Sequence, residues 1–119
     1  MRQLLHANYI YTGPEGGEQT GPDAALKIAR MWATAFPDGK IEIKKIVAQS
    51  SISICEYIGR GTHNGELMGV KPTGKSVELR VCNIIEARDG KIFRAREYMD
   101  LLSLMTQLGA VTLPESKAA

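Results

Sequence analysis

The sequence of 119 residues lacks several features that mark whole classes of function. It has no run of eighteen apolar residues, which excludes a membrane-spanning helix. Its 15 Lys and Arg residues against 13 Asp and Glu residues leave a net charge of +2, too balanced for a protein that grips nucleic acid. No P-loop, metal-ligand spacing or Ser/His/Asp arrangement is present. We therefore expect neither nucleic acid nor a membrane as partner, and no metal ion.

Cysteine is scarce: Cys55 and Cys82 are the only two, both in apolar, strand-like runs. We expect reduced thiols in a cytoplasmic protein, although the spacing alone leaves a disulfide open. Separators are scarce as well, since no repeat, low-complexity block or Gly/Ser linker divides the chain. We expect one domain over residues 1–109, followed by a flexible tail over 110–119.

The order of local patterns predicts an α+β fold. Pro22 suits the first position of a helix that apolar spacing extends over about 22–35, and Pro37-Asp38-Gly39 ends it. A second helix is predicted from Leu101 to a stop at Gly109. Strands are predicted within residues 3–12 after a short helical turn, from Ile41 to Val47, and over 51–62, 76–88 and 91–99, with residues 13–21 as a loop.

The connection between the last two strands is Asp89-Gly90, the strongest short hairpin signal in the sequence. One helix, a run of antiparallel strands and a closing helix give a layered architecture. A twisted antiparallel sheet that curls around a helix encloses a cone. The open end of such a cone is a natural pocket for a small molecule, because such sites are concave and mostly apolar.

Several segments, in order and at the right spacing, carry a resemblance to a known family. They are AFPDGKIEIKKIVAQ (35–49), GTHNGELMGVKPTGK (61–75), RDGKI (88–92), EYMD (97–100) and DLLSLMTQLG (100–109). Together they resemble the SnoaL-like polyketide cyclases, which include ester cyclases and belong to the nuclear transport factor two-like superfamily. The resemblance covers most of the chain and implies a cone-shaped, curved antiparallel sheet wrapped around helices, also described as a cystatin-like α+β barrel. It fixes activity less firmly, because this fold hosts many functions.

Two departures from the family pattern bear on the pocket. Family members usually have a long first helix ahead of the segment that matches LLHANYIYTG, and here that helix is missing. We expect the pocket to be more open, or covered by another subunit. Arg96 stands where the family more often has tryptophan, and a guanidinium in the cavity would suit an anionic or carbonyl-bearing ligand. An Arg96 that faces solvent or pairs with a neighbouring carboxylate fits the sequence equally well.

Asp100 is the candidate catalytic residue, because the resemblance matches it to the general acid/base of the family's cyclases. That residue takes a proton from a carbon flanked by carbonyls, allows an intramolecular aldol attack and returns a proton to the new oxygen, without cofactor or metal. Burial in an apolar cavity would raise its pKa toward a useful range. Asp100 also precedes an apolar helix, so it is equally a candidate N-cap, and one residue can fill both roles.

Other candidates surround this position. Arg96 and Tyr98 share the face of Asp100 by strand alternation, and Tyr98 is either a donor to an enolate oxygen or a half-buried rim residue. His63, in GTHNG, is a possible proton shuttle, although fixing the 63–75 loop by hydrogen bonds is the simpler interpretation. Trp32, Tyr57 and Asn83 are also assigned to the substrate pocket. A core role is the alternative for Trp32, and the sequence does not determine which face of the sheet Asn83 occupies.

Three functions remain open at this point. The first is cofactor-free acid/base catalysis on a hydrophobic, carbonyl-bearing compound, of the cyclase or isomerase type. The second is binding of a small apolar molecule without chemistry. The third is a scaffold that forms a homodimer through an apolar sheet face, which is compatible with the second.

Overall fold

The computed structural model describes residues 2–114. The chain forms a 3-10 turn and then six strands and two helices in this order: turn Arg2–Leu4, β1 Leu5–Thr12, β2 Glu18–Thr20, α1 Pro22–Ala35, β3 Lys40–Gln49, β4 Ile52–Thr62, β5 Ser76–Arg88, β6 Lys91–Met99 and α2 Leu101–Gln107. No helix within these residues is long and apolar enough to cross a membrane. The flexible tail predicted over 110–119 lies partly outside the described residues, and the cytoplasmic location stays a prediction.

The six strands form one curved, unclosed sheet in the order β2-β1-β6-β5-β4-β3. The four long strands pair antiparallel with their sequence neighbours, as predicted. The prediction of a wholly antiparallel sheet is wrong at β1, which pairs parallel with β6. No hairpin joins those two strands, so no turn dictates their relative direction. The predicted loop over 13–21 contains the short strand β2, which pairs with β1.

Local signals in the sequence explain the element ends. The helix predicted over 22–35 is confirmed by α1, with a proline in its first turn. Asp89 and Gly90 have φ values of 55° and 72°, and a type I′ hairpin turn requires positive φ at both central residues. The second helix is confirmed as α2, and Gly109 beyond it has a φ of 76°, which suits glycine.

The main core lies between the two helices and β5. It joins the buried side of β5 to apolar residues of α2 and of the 63–75 loop: Val77, Leu79, Val81, Leu104, Leu108 and Leu67, with Ala35 at the end of α1. A second cluster joins β1 to α1. The 63–75 loop packs tightly on the end of α1, because a Cβ atom at Gly65 would lie 1.9 Å from the carbonyl oxygen of Thr34. Helix α1 and this loop therefore form one fixed wall.

Strand β3 is the edge of the sheet, and all ten of its residues are exposed. The register places Cys55 opposite Asn83 and Cys82 opposite Glu56 on neighbouring strands. Adjacent positions on a strand pair face opposite sides, so the two cysteines lie on opposite faces of the sheet. Both are free thiols, and a disulfide between them is excluded in this fold.

Candidate functional site

A cavity of about 390 Å³ lies between the helices and the concave face of the sheet. Its walls are mostly apolar and come from the end of α1, from the start of β3, from strands β4 to β6 and from α2, with Lys40 and Arg60 as the cationic lining residues. Among them are Trp32, Phe36, Tyr57, Val81, Met99 and Leu104. Ile41 of the edge strand, which is 67% exposed, also lines the cavity. An apolar pocket with few polar groups is typical of small-molecule sites.

Among residues 2–114, Glu97 is the only carboxylate that lines this cavity. Side chains alternate along β6, so Glu97 and Met99 face the cavity and the one residue between them faces outward. The Tyr11 hydroxyl donates a hydrogen bond of 2.9 Å to Glu97 Oε1. This bond holds one carboxylate oxygen of Glu97 in place.

Burial raises the pKa of Glu97 above its ordinary value, and the negative charge of Glu15 acts in the same direction. The hydrogen bond from Tyr11 opposes both effects by favouring the charged form. The net shift is upward, because withdrawal from water is the largest of these effects. Glu97 is thus a carboxyl group that holds its proton more firmly than glutamate in water does.

Tyr57 lines the cavity from β4, on the far side of β5 from Glu97. Burial raises its pKa to about 12, and the charge of Glu97 contributes to that rise. The Asn83 side chain on β5 acts on the Tyr57 hydroxyl in the opposite direction and partly offsets the rise. The placement of Tyr57 in the wall agrees with the sequence-based assignment.

Asp100 lies outside the cavity lining and is exposed. Its Oδ1 atom accepts a hydrogen bond of 2.9 Å from the backbone N–H of Ser103, so it is the N-cap of α2. The capping interpretation is therefore confirmed. The poorly hydrated carboxyl that acid/base chemistry requires is not found at this position, because the helix amides hold the side chain at the surface.

Arg96 and Tyr98 face away from the cavity, on the convex side of the sheet. Arg96 Nη2 lies 3.9 Å from Glu86 Oε2, which agrees with the carboxylate-paired alternative. Tyr98 is 54% exposed. The expectation that these residues point into the pocket does not hold, because it assumed that Asp100 does so. The alternation was right, and the inward set is the other one.

His63 is fully buried and fixes the 63–75 loop. Its Nδ1 atom accepts a hydrogen bond of 3.2 Å from the Thr73 N–H and lies 2.9 Å from Thr73 Oγ1. Its backbone also pairs with that of Gly74 and Lys75. Its ring packs on Phe36, with 5.8 Å between centroids, and it is not among the cavity residues. This arrangement matches the structural role weighed from the sequence.

Trp32 and Asn83 complete the residues assigned from sequence. Trp32 lines the cavity and stacks on Phe36 at 6.2 Å, so it belongs to both pocket and core. Asn83 lies between Cys55 and Glu97 in the register, on the same face of the sheet as both. Its Oδ1 atom is buried and has no hydrogen-bond partner within residues 2–114.

Sequence reasoning missed Glu97 and considered its partner Tyr11 only as a possible wall residue. A signal was present, because Glu97 is the only acidic residue within β6 and shares a face of that strand with the apolar Met99. Within residues 2–114, no group of three His, Cys, Asp or Glu side chains is arranged to hold a metal ion.

Comparison with known proteins gives the chain's relatives. It is 25% identical over 111 residues to aklanonic acid methyl ester cyclase AcmA of Streptomyces galilaeus, covering 92% of this chain and 77% of that protein. It is 27% identical over 109 residues to nogalonic acid methyl ester cyclase of Streptomyces nogalater, covering 90% and 81%. A candidate SnoaL-like polyketide cyclase structure from Jannaschia sp. CCS1 superposes with a TM-score of 0.87 at 19% identity, over 93% of this chain and 77% of that one.

The fold agrees with these relationships, and the last likeness speaks for the fold alone. The family model described as SnoaL-like polyketide cyclase matches residues 1–108, nearly the whole chain. The chain belongs to the SnoaL-like polyketide cyclase family.

Proposed function

We propose that this protein is a cyclase-type enzyme that acts on a small, hydrophobic, carbonyl-bearing compound, with Glu97 as its general acid and base. Family membership and two relatives named as ester cyclases support the reaction class. The single observation that carries the assignment of Glu97 is its position as the one carboxylate of the described part of the chain that lines this mostly apolar cavity.

The reaction needs a base of moderate strength inside a poorly hydrated pocket. A carboxylate in water is a weak base, and withdrawal from water raises the pKa of Glu97 toward the range where proton transfer to and from carbon acids is effective. The apolar neighbours Val81, Met99 and Leu104 supply that environment. The Tyr11 hydrogen bond keeps the carboxylate from turning away from the ligand.

In this mechanism, Glu97 removes a proton from a carbon between two carbonyl groups. The electron pair of the broken C–H bond moves onto a carbonyl oxygen and forms an enolate. The enolate carbon attacks a second carbonyl of the same molecule, which forms a C–C bond and an alkoxide. The alkoxide then takes the proton from Glu97, so the enzyme returns to its first state and the product is an isomer of the substrate.

The test compares Glu97→Gln with Asp100→Asn in the same assay. The probe is an aromatic methyl ester that carries a 1,3-dicarbonyl side chain, and NMR in D₂O follows both exchange at the acidic carbon and ring closure. Loss of a general base costs about 10²- to 10⁴-fold in rate, and we expect that loss in Glu97→Gln only. Asn preserves the cap, so Asp100→Asn should retain the wild-type rate.

Two outcomes would contradict the proposal. Full activity in Glu97→Gln would remove this carboxyl from the chemistry. A wild-type protein that binds the probe but returns it without exchange or closure would be a binding protein.

A further inference from the structure

Two uncharged polar side chains on the strands next to Glu97 are not used by the mechanism above. They are Tyr57, in the wall, and Asn83, on the strand between Tyr57 and Glu97. We propose that Tyr57 donates a hydrogen bond to the substrate carbonyl oxygen that becomes negatively charged when Glu97 removes the proton, and that Asn83 positions the Tyr57 hydroxyl. This inference rests on the proposed function, since it needs a reaction in which such a charge develops.

The register places the two ends of the reaction on opposite sides of one strand. Cys55, Asn83 and Glu97 form one row across β4, β5 and β6, and Tyr57, Val81 and Met99 form the next. Neighbouring strands are about 4.8 Å apart and the two rows are about 7 Å apart along the strands, so the backbones at Tyr57 and Glu97 are roughly 12 Å apart. Their side chains project from the concave face into the same cavity. A substrate between them would meet the carboxylate on one side and the hydroxyl on the other.

The hydrogen-bond partners decide which tyrosine has a free proton. The Tyr11 hydroxyl donates to Glu97, so its proton is already engaged. Within residues 2–114 the Tyr57 hydroxyl donates to no acceptor, and the Asn83 side chain favours the ionised form of that hydroxyl, as a nearby donor does. If the Asn83 amide N–H donates, the phenolic oxygen is the acceptor and its own proton is directed to the remaining space, which is the cavity.

Asn83 is itself constrained in a way that fits a positioning role. Its Oδ1 atom is buried without a partner, an arrangement that proteins seldom retain without a reason. An amide whose N–H bonds to the hydroxyl leaves its oxygen as the unpaired end. Asn83 lies on the strand between the proposed base Glu97 and the proposed donor Tyr57. An unpaired amide oxygen at this position is expected if Asn83 orients the Tyr57 hydroxyl.

The test uses Tyr57→Phe and the matched control Tyr9→Phe. Tyr9 is a suitable control because burial and Glu97 also raise its pKa to about 12, yet it does not line the cavity. Removal of one such donor costs about 10²- to 10³-fold in kcat. We expect that loss in Tyr57→Phe with a smaller change in KM, and wild-type kcat in Tyr9→Phe.

The outcomes separate this inference from the proposed function. If Tyr57→Phe retains kcat while Glu97→Gln is inactive, the inference is overturned and the function of Glu97 stands. If Glu97→Gln is active, the proposed function fails first. For Asn83, we expect Asn83→Leu to lower kcat about fivefold to tenfold with KM retained, and Asn83→His, which restores a donor, to recover part of it. Equal kcat in all three forms would overturn the positioning role.

A second measurement covers the case in which Tyr57→Phe does not fold. 3-Fluorotyrosine placed at position 57 keeps the hydroxyl and reports on it by fluorine NMR. We expect its resonance to move when 2-naphthol is added at a pH where the naphthol is ionised, since the naphtholate mimics an enolate. Naphthalene should cause a much smaller change. Equal shifts with both probes would overturn the inference.

Discussion

The inner strand β5 and the edge strand β3 have similar sequence patterns and very different surroundings. On β5, Val77, Leu79 and Val81 alternate with polar residues and are buried beneath the helices. On β3, Ile41 and Ile43 follow the same alternation and are 67% and 58% exposed. Alternation therefore predicts a strand, whereas burial depends on whether a helix covers it. Glu97 is desolvated because it lies on β6, next to β5, on the face of the sheet that the helices cover.

Charged side chains, rather than apolar packing, link the edge strand β3 to its neighbours. Arg60 donates hydrogen bonds to Glu42 at 3.0 Å and to Glu78 at 3.3 Å, which links β3, β4 and β5. A bulge interrupts the pairing of β3 and β4 around Lys44. Lysine and bulges on an edge strand hinder pairing with another chain's edge. The same strand thus carries exposed isoleucines and features that oppose aggregation.

The largest expected difference is between core and edge substitutions. Leu104→Ala removes a fully buried side chain and should lower the free energy of unfolding by about 2 to 5 kcal/mol. Ile43→Thr keeps a β-branched residue at an exposed site, and we expect a change within about 0.5 kcal/mol. Urea titration of both variants measures the contrast.

The predicted homodimer through the sheet face gives this comparison its alternative outcome. If Ile43→Thr is as costly as Leu104→Ala, and the cost depends on protein concentration, another copy covers β3 in solution. A concentration-independent, small effect means that the edge strand is exposed in the functional protein. The homodimer stays a prediction until that titration is made.

Glu97 in the cavity and Glu42 on the edge strand should contribute to stability with opposite dependence on pH. The folded-state pKa of Glu97 is raised, so its contribution to stability is present below the unfolded pKa of about 4.3 and is lost as pH rises through the folded value. The pKa of Glu42 is lowered, first by Lys44 and then by Arg60. Its contribution is present above about 4.3 and is lost as pH falls through its folded value.

Stability measured from acid to neutral pH, for Glu97→Gln and Glu42→Gln against wild type, tests both signs. Relative to wild type, Glu97→Gln should gain stability as pH rises. Glu42→Gln should lose it, and by less, because Glu42 is exposed and solvent screens its partners. Parallel curves for the two variants would show that Glu97 is as well hydrated as the edge residue.

Much of the fold could be predicted from the sequence because its signals are local. Pro22 and Asp89-Gly90 fix a helix start and a hairpin, and both are confirmed. The parallel pairing of β1 with β6 was missed because it joins segments about 80 residues apart along the chain, with no turn to record it. The short strand β2 was missed because its three polar residues carry no strand pattern.

The site was harder to predict because its properties come from packing. Alternation separates Arg96 and Tyr98 from Glu97 and Met99, and it does not say which pair faces inward. The helices decide that, and they cover Glu97. Asp100, which the family match assigned as the acid/base, caps α2 outside the cavity, whereas Glu97, three residues earlier in the chain, lines it. Residues on α1 and β4, namely Trp32 and Tyr57, were placed correctly in the wall.

The smallest effect we predict separates the two carboxyls most sharply. Asp100 binds the N–H of Ser103, so Asp100→Ala should cost about 1 kcal/mol of stability, while Asp100→Asn should cost only a few tenths because asparagine caps nearly as well. Helix α2 carries Leu104, which lines the cavity, so a loosened cap acts on the site only through helix position. Activity in Asp100→Ala should therefore fall in proportion to the unfolded fraction and recover at lower temperature. An activity loss in Asp100→Asn that persists in the fully folded protein would instead assign chemistry to Asp100.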